Sequence, residues 1–323
     1  MTSITVSREP GSAGSPPQTP RRRTLRGLWR RLAKADKVGL AFVLPSMAAV
    51  IGLLIYPVLS SVYYSLTDQN LLRRDHEIVW LDNFQTLITN AEFWSAFGTS
   101  IRWTAGSIAG QLLLGLLLAL CLDKVRRFSG LYRVLLIVPW AFPPIIIGFG
   151  WQWILDDVYG FLPNLLTALG ITSSNVSPLA DPATVFGVVL GINIWFGAPL
   201  FMVNILAALK TIPKEQYEAA LMDGANAWQQ FSFITLRHIR NVIGLLVILR
   251  IIWVFNNFEL LFLLTGGGPG DLTTTLPIFA YRTGWGLHQL GMASAITVLL
   301  LVFLLLMARI AFAALNYWER EDS

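Results

Sequence analysis

Polar residues recur at helical spacing inside the apolar segments of this 323-residue sequence. Arg250, Val254 and Asn257 follow one another at intervals of four and three residues, which places them on one face of a helix. A charge near the centre of a hydrocarbon layer costs at least about 2.5 kcal/mol, so such residues are candidates for function. A guanidinium donates hydrogen bonds, and an amide both donates and accepts them. Arg250 therefore predicts a ligand with an acidic or strongly hydrogen-bonding group.

Two other apolar segments carry similar patterns. Trp140 and Pro144 lie four residues apart in a segment that prolines interrupt. The other segment has polar, aromatic and small residues along one stripe, with a tryptophan beside it: Asn193, Phe196, Gly197, Leu200 and Trp195. A structural interpretation stays open, because buried amides also join helices and tryptophans also anchor helices at the membrane surface. Arg250 can likewise extend its charge to the aqueous surface.

The sequence offers little for catalysis or metal binding. The single cysteine, Cys121, excludes an internal disulfide framework and a multi-cysteine metal site. The three histidines, at positions 76, 238 and 288, do not have ligand spacing. The glycine run at 266–270 has no following lysine, and the nucleotide-binding pattern G-x-x-x-x-G-K-[ST] is absent. We therefore expect a chain that is no enzyme and that itself binds no metal or cofactor.

The elements that must position the polar residues are transmembrane helices. Hydrophobic residues make up 54% of the chain and charged residues 13%, compared with about 45–50% and about 25% in soluble domains. Six apolar segments are long enough to cross a bilayer, so the sequence predicts an all-α membrane protein. Their approximate bounds are 39–66, 97–121, 131–154, 184–208, 241–265 and 289–315.

The charges outside these segments predict the domain organisation and the topology. Residues 1–37 contain nine of the 24 lysines and arginines, which predicts a disordered basic tail that contacts anionic lipids rather than nucleic acid. Residues 38–316 would form the membrane domain, and residues 317–323 a short cytoplasmic tail. Lysine and arginine are concentrated in alternate connections, which predicts that both termini are cytoplasmic. The outer connections are then 67–95, 155–183 and 266–288.

The inner connection at about 209–240 is long and has the pattern of a structured element. Pro213 suits the first turn of a helix, because its missing N–H is not needed there. Gly224 is placed to end that helix in a left-handed conformation. A second short helix with Trp228 and Phe231 is predicted to follow. By composition alone, this pattern is typical of an amphipathic connector at the membrane surface.

The order of residues in this connection is more specific than its composition. It resembles the EAA loop of the permease subunits of bacterial ABC importers, and the matching residues are Glu218, Ala219, Ala220, Asp223, Gly224 and Ala225. The resemblance implies that they belong to a coupling helix, which docks into a cleft on a cytoplasmic ATPase subunit. Glu218 would offer its charge to an arginine or glutamine across that interface. The sequence departs from the family at Leu236-Arg237, where a Leu-Pro pair is usual.

A second block extends the resemblance to the carbohydrate branch of these importers. Phe255-Asn256-Asn257-Phe258 and the run 264–269 are similar to the larger maltose permease and to glycerol-phosphate permeases. The resemblance covers about residues 38–315 and implies the six-helix type I permease fold in a bacterial inner membrane. It also implies that the sugar contacts come from Trp140, Pro144, Asn193, Phe196, Gly197, Leu200, Arg250, Val254 and Asn257.

The resemblance further implies partners and a mechanism. The partners are a second homologous permease, a dimer of ATPase subunits that bind ATP and Mg²⁺, and an extracytoplasmic substrate-binding protein. The chain would move a sugar or sugar-like solute into the cytoplasm by alternating access. The alternative is a secondary transporter or channel that works alone, which needs inverted repeats or a relay of membrane carboxylates. Glu259 is the one good candidate for such a relay, and no convincing repeat is evident.

Overall fold

The computed structural model describes residues 37–125, 127–171 and 177–321, with side chains from residue 41 to residue 313 within those ranges. All of the predicted basic tail except Lys37 lies outside the described residues. Within them the secondary structure is helical, apart from two isolated bridges that pair Thr67 with Ile78 and Asn70 with Gln289. The predicted all-α class is therefore confirmed.

The first apolar segment is a helix with a π-helical insertion. It consists of α1 (Lys37–Val50), a π segment (Ile51–Ile55) and α2 (Tyr56–Ser65). Pro57 cannot donate a backbone N–H, and the wider turn just before it, in which Tyr56 N–H donates to Ile51 O, is a usual way to absorb such a gap. The chain divides into two units, residues 1–58 and residues 59–323.

Within the larger unit, helices α3 (Asp82–Thr89) and α4 (Ala91–Lys124) follow the end of α2. Asn90 lies between them and caps α4, because its side-chain oxygen accepts hydrogen bonds from Glu92 N at 2.7 Å and Phe93 N at 3.3 Å. With 34 residues, α4 exceeds the roughly 20 residues that a span requires and contains the predicted segment.

The third apolar segment is broken. Helices α5 (Ser129–Ala141) and α6 (Pro144–Ile154) meet at an angle of 92°. Pro143 and Pro144 explain the break, because neither donates a backbone N–H and a residue before proline avoids the helical conformation. Pro144 occupies the first turn of α6, where no N–H is required. The segment predicted as a single span is thus a bent pair of helices.

After the short helix α7 (Phe161–Ala168), α8 (Val185–Leu209) forms the next span and packs along α4. Glycine permits this close approach. A Cβ atom added to Gly115 of α4 would lie 2.5 Å from Phe201 Cβ and 2.9 Å from the carbonyl oxygen of Ala198. Small residues let helix backbones approach in this way within membranes, and the α4–α8 pair positions much of the site described below.

The inner connection leads directly into the fifth span. Its elements are α9 (Lys214–Met222), α10 (Ala227–Gln229), a π segment (Gln230–Thr235) and α11 (Leu236–Phe255). The last three form one apolar helix of 29 residues. The prediction of a separate second helix in the connection is therefore wrong, because the residues from Ala227 onward begin the fifth span. The predicted end of the span at residue 265 is also wrong, because the helix stops at Phe255.

The remaining elements are α12 (Glu259–Thr265), α13 (Leu276–Tyr281), a π segment (Arg282–Gly286) and α14 (Leu290–Glu321). The backbone of α14 stays helical as far as Glu321, within the predicted tail at 317–323. In the described part of the chain, five helices are long and apolar enough to cross a membrane, and the bent pair makes a sixth. This agrees with the six predicted segments.

Candidate functional site

A cavity of about 340 Å³ lies among α5, α6, α8 and α11. Aromatic rings, a proline, a valine, two amides and one guanidinium line it, and these belong to Trp140, Phe142, Pro144, Asn193, Phe196, Arg250, Trp253, Val254 and Asn257. Aromatic faces stack on sugar rings, and amides form hydrogen bonds with hydroxyl groups. Arg250 is the one formal charge in this lining. The lining therefore suits a polar organic molecule.

Two helix breaks shape the cavity. Trp140 lies near the end of α5 and Pro144 begins α6, on either side of the bend. Asn257 lies beyond the end of α11, in the break before α12. The break between Trp140 and Pro144 agrees with the proline-interrupted segment that the sequence predicted. The prediction that Asn257 shares a helical face with Arg250 is wrong, because the helix ends at Phe255. The cavity nevertheless brings all four residues together.

Arg250 is buried, with 6% of its surface exposed. Its Nε and Nη2 atoms donate hydrogen bonds to Gln111 Oε1 at 2.9 Å and 2.7 Å. Its guanidinium carbon lies 6.0 Å from the centre of the Trp253 ring, within the range of a cation–π contact. Among the residues whose side chains the structure describes (41–125, 127–171 and 177–313), no carboxylate forms an ion pair with Arg250. A neutral amide and an aromatic ring thus hold a charge that usually has a counter-charge when buried.

Two buried amide oxygens have no hydrogen-bond partner among the described residues: Asn193 Oδ1 and Asn257 Oδ1. Asn193 is 1% exposed and donates from Nδ2 to Ser107 Oγ at 2.7 Å. A buried acceptor without a partner costs about 1–3 kcal/mol. A hydroxyl group has a donor suited to such an oxygen. Because both oxygens are buried, neighbouring side chains would have to move for a bound molecule to reach them.

Seven of the ten predicted binding residues line the cavity, and Trp195, Gly197 and Leu200 do not. Trp195 instead packs edge-on against Trp151 with ring centres 5.5 Å apart. Gly197 lies behind the guanidinium, where an added Cβ would come within 2.5 Å of Arg250 Nη2.

Sequence reasoning missed several residues that shape the site. Phe142 and Trp253 line the cavity, while Ser107 and Gln111 of α4 contact its polar groups. The same criterion that selected Arg250, a polar residue inside an apolar segment, would have found Gln111.

The arrangement offers binding groups but no evident catalytic ones. Among the described residues, no group of three or more His, Cys, Asp or Glu could hold a metal ion. The lining contains no carboxylate, imidazole, thiol or hydroxyl side chain, which are the usual general bases and nucleophiles.

The predicted coupling residues lie together on and after α9. Glu218, Ala219, Asp223 and Gly224 are exposed, and Ala220 and Ala225 are half-buried. Gly224 has a φ of +78° and the Gly224 N–H donates to Leu221 O at 3.1 Å. The predicted left-handed end of this helix is confirmed, and glycine suits it because it has no Cβ.

Contacts with the start of the fifth span fix the orientation of α9. Tyr217 Oη lies 2.8 Å from Thr235 Oγ1, and Ala225 O accepts a hydrogen bond from Gln230 Nε2 at 2.9 Å. Asn226 and Gln229 form a reciprocal capping box at the first turn of α10. The span is continuous from this turn to Phe255, so α9 contacts the same helix that carries Arg250.

Two of the predicted outer connections contribute to a second cavity, of about 590 Å³. Its lining includes Asp156, Asp157 and residues at the end of α12. The backbone N–H groups of Tyr159 and Val158 donate to Asp156 Oδ1 at 2.8 Å and 2.9 Å. They hold the pKa of Asp156 below its ordinary value, so this carboxylate stays ionised to a lower pH than an ordinary aspartate.

Residues 111–316 match the family described as binding-protein-dependent transport system inner membrane component. The trehalose/maltose transport system permease protein MalF of Thermococcus litoralis is 32% identical over 269 residues, which cover 83% of this chain and 90% of that protein. The diacetylchitobiose uptake system permease protein DasB of Streptomyces coelicolor is 32% identical over 268 residues, which cover 81% and 82%.

A solved structure shows the same fold. The crystal structure of a bacterial ABC transporter involved in the import of the acidic polysaccharide alginate contains a chain that is 23% identical, with a TM-score of 0.77. The match covers 90% of this chain and 98% of that chain. The chain has the fold of type I ABC permeases.

The chain belongs to the family of inner membrane components of binding-protein-dependent transport systems. It is thus a membrane-spanning permease subunit of an ABC transporter. The resemblance drawn from the connection at 209–240 and from the block at 255–269 is confirmed.

Proposed function

We propose that this chain is the permease subunit of an ATP-driven importer that carries a sugar or a sugar-like solute. The observation that supports this most strongly is the cavity around Arg250, which aromatic rings, two amides and one guanidinium line. Such a lining matches the alternating apolar faces and hydroxyl groups of a sugar. Two relatives have names that refer to trehalose/maltose and to diacetylchitobiose, which supports the same class of substrate.

The proposal includes the partners that complete the transporter. A second permease would supply the other half of the pathway, and a dimer of ATPase subunits, which bind ATP and Mg²⁺, would dock on α9. An extracytoplasmic binding protein would deliver the substrate to the connections at 67–95, 155–183 and 266–288. Both termini would be cytoplasmic, because the lysines and arginines of the connections favour that side. We also propose the division into a basic tail (1–37), a membrane domain (38–316) and a short cytoplasmic tail (317–323).

The proposed mechanism is alternating access. When the ATPase subunits close on ATP, they displace α9, and the contacts of Tyr217 and Ala225 transmit this movement to the fifth span. Rotation of that span would open the cavity to the outside, where the binding protein releases its sugar. Opening of the ATPase dimer would return the cavity to the cytoplasmic side.

Co-purification tests the proposed assembly. A tagged form of the chain, extracted from its native membrane in mild detergent, is expected to bring down two copies of an ATPase and one related permease. Mass spectrometry would identify both. A stable, monodisperse chain that carries no ATPase would contradict the proposal and favour a transporter that works alone.

A further inference from the structure

The amide of Gln111 connects three spans at the back of the cavity. Gln111 belongs to α4 and is fully buried. Its Oε1 atom accepts both hydrogen bonds from Arg250 of α11, and its Nε2 atom donates to Asn193 O of α8 at 2.9 Å. Chemistry fixes this orientation of the amide, because arginine only donates hydrogen bonds and a carbonyl oxygen only accepts them.

The Gln111 amide is packed closely against α8. An added Cβ at Gly197 would overlap the Gln111 amide and come within 2.5 Å of Arg250 Nη2. Ser107 lies one helical turn before Gln111 and accepts a hydrogen bond from Asn193 Nδ2 at 2.7 Å. Two polar residues on one face of α4 therefore hold α8, and one of them also holds Arg250.

The hydrogen bonds to Gln111 use one edge of the guanidinium and leave another edge free. Nε and Nη2 are occupied, whereas Nη1 donates to no residue among 41–125, 127–171 and 177–313, whose side chains the structure describes. Because the guanidinium is planar and rigid, fixing the first edge also fixes the direction of Nη1. Arg250 lines the cavity, so this preorganised donor is available to oxygen atoms of a bound molecule.

We propose that Gln111 is a positioning residue for substrate binding, which acts by holding Arg250 with its Nη1 edge towards the cavity. The proposal rests on the proposed function, because Arg250 is taken as a group that touches the substrate. Gln111 itself does not line the cavity. Its effect on binding must therefore pass through Arg250.

A double-mutant cycle tests this dependence. Uptake of the best-transported sugar among maltose, trehalose and diacetylchitobiose is measured for the reconstituted complex with Gln111→Leu, Arg250→Gln and both changes. With Gln111→Leu alone, we expect KM to rise about tenfold, equivalent to about 1.4 kcal/mol, with little change in maximal rate. In the Arg250→Gln background, the same change should raise KM no further, because coupled residues are not additive.

A control and a structure separate positioning from a loss of stability. Ser100→Ala removes another buried hydrogen bond of α4, in which Ser100 Oγ accepts from Leu276 N at 2.8 Å. This control should lower the melting temperature of the complex without raising KM. Additive effects of Gln111→Leu and Arg250→Gln on KM would overturn the proposal. A cryo-EM structure of the Gln111→Leu complex should show that the Arg250 guanidinium is displaced. An Arg250 guanidinium in its original position would overturn the proposal. This result does not depend on whether any of the three sugars is transported.

Discussion

Uptake is expected to fall about a hundredfold in the double variant Glu218→Lys with Gly224→Val, while ATP hydrolysis continues. Charge reversal at Glu218 would remove the proposed charge-assisted contact with the ATPase, worth about 1.5–3 kcal/mol. Valine at position 224 must adopt the φ of +78° that glycine has there, at a cost of about 1–2 kcal/mol. Both changes alter the docking of α9, and each 1.4 kcal/mol corresponds to about a tenfold effect. Sugar uptake and phosphate release are measured on the same proteoliposomes.

Two other positions provide a matched control for the Glu218→Lys, Gly224→Val variant. Gly170 also has a positive φ, of +70°, with no atom within 4 Å of an added Cβ, and it lies in a predicted outer connection. Gln216 is an exposed residue of α9 on the face opposite Glu218. The variant Gln216→Lys with Gly170→Val should keep uptake coupled to ATP hydrolysis. Tight coupling in the Glu218→Lys, Gly224→Val variant itself would remove α9 from the proposed role.

Arg250→Gln is expected to lower uptake at low sugar concentration by about ten- to a hundredfold, since a hydrogen bond from a charged group is worth about 1.5–3 kcal/mol. The change deletes the one charge in the cavity lining. The complex should still assemble, because the variant no longer buries a charge without a counter-charge. The initial rate of uptake and the yield of the co-purified ATPase are the two measurements.

The control for this variant is Arg102→Gln. Arg102 also lies within a span, but it donates to Thr99 Oγ1 at 3.0 Å and its guanidinium carbon lies 5.7 Å from the Phe186 ring centre. It does not line the cavity, so its replacement should leave the affinity for sugar unchanged. Unaltered uptake by Arg250→Gln would exclude Arg250 from the binding site.

The sequence predicted the spans well and their interruptions poorly. Apolar segments identify a span because a helix in lipid must satisfy its own backbone groups. Pro143 and Pro144 indicated a kink, but nothing in their pattern specified a bend of 92°. The stop after Phe255 was missed because the apolar pattern continues through Leu264. At this break α12 packs against α6, and a hydropathy pattern carries no information about such tertiary contacts.

Local chemistry predicted the coupling connection more accurately than the cavity. The proline start and glycine end of α9 follow from backbone constraints that act within a few residues. The cavity instead depends on contacts between residues far apart in sequence. Gln111 donates to the backbone oxygen of Asn193, 82 positions away, and accepts from the side chain of Arg250, 139 positions away. Gln111 meets the same criterion as Arg250, but their pairing cannot be read from the sequence, because the two residues lie on different helices. Glu259, the proposed relay residue of the alternative, is exposed and does not line the cavity.

The central claim is that ATP drives this chain to import a sugar. The most direct test measures radiolabelled maltose, trehalose and diacetylchitobiose entering proteoliposomes that hold the purified complex and its binding protein. We expect at least one sugar to accumulate only with ATP, and a protonophore to leave that accumulation unchanged. Accumulation without ATP that collapses when the proton gradient is removed would contradict the claim.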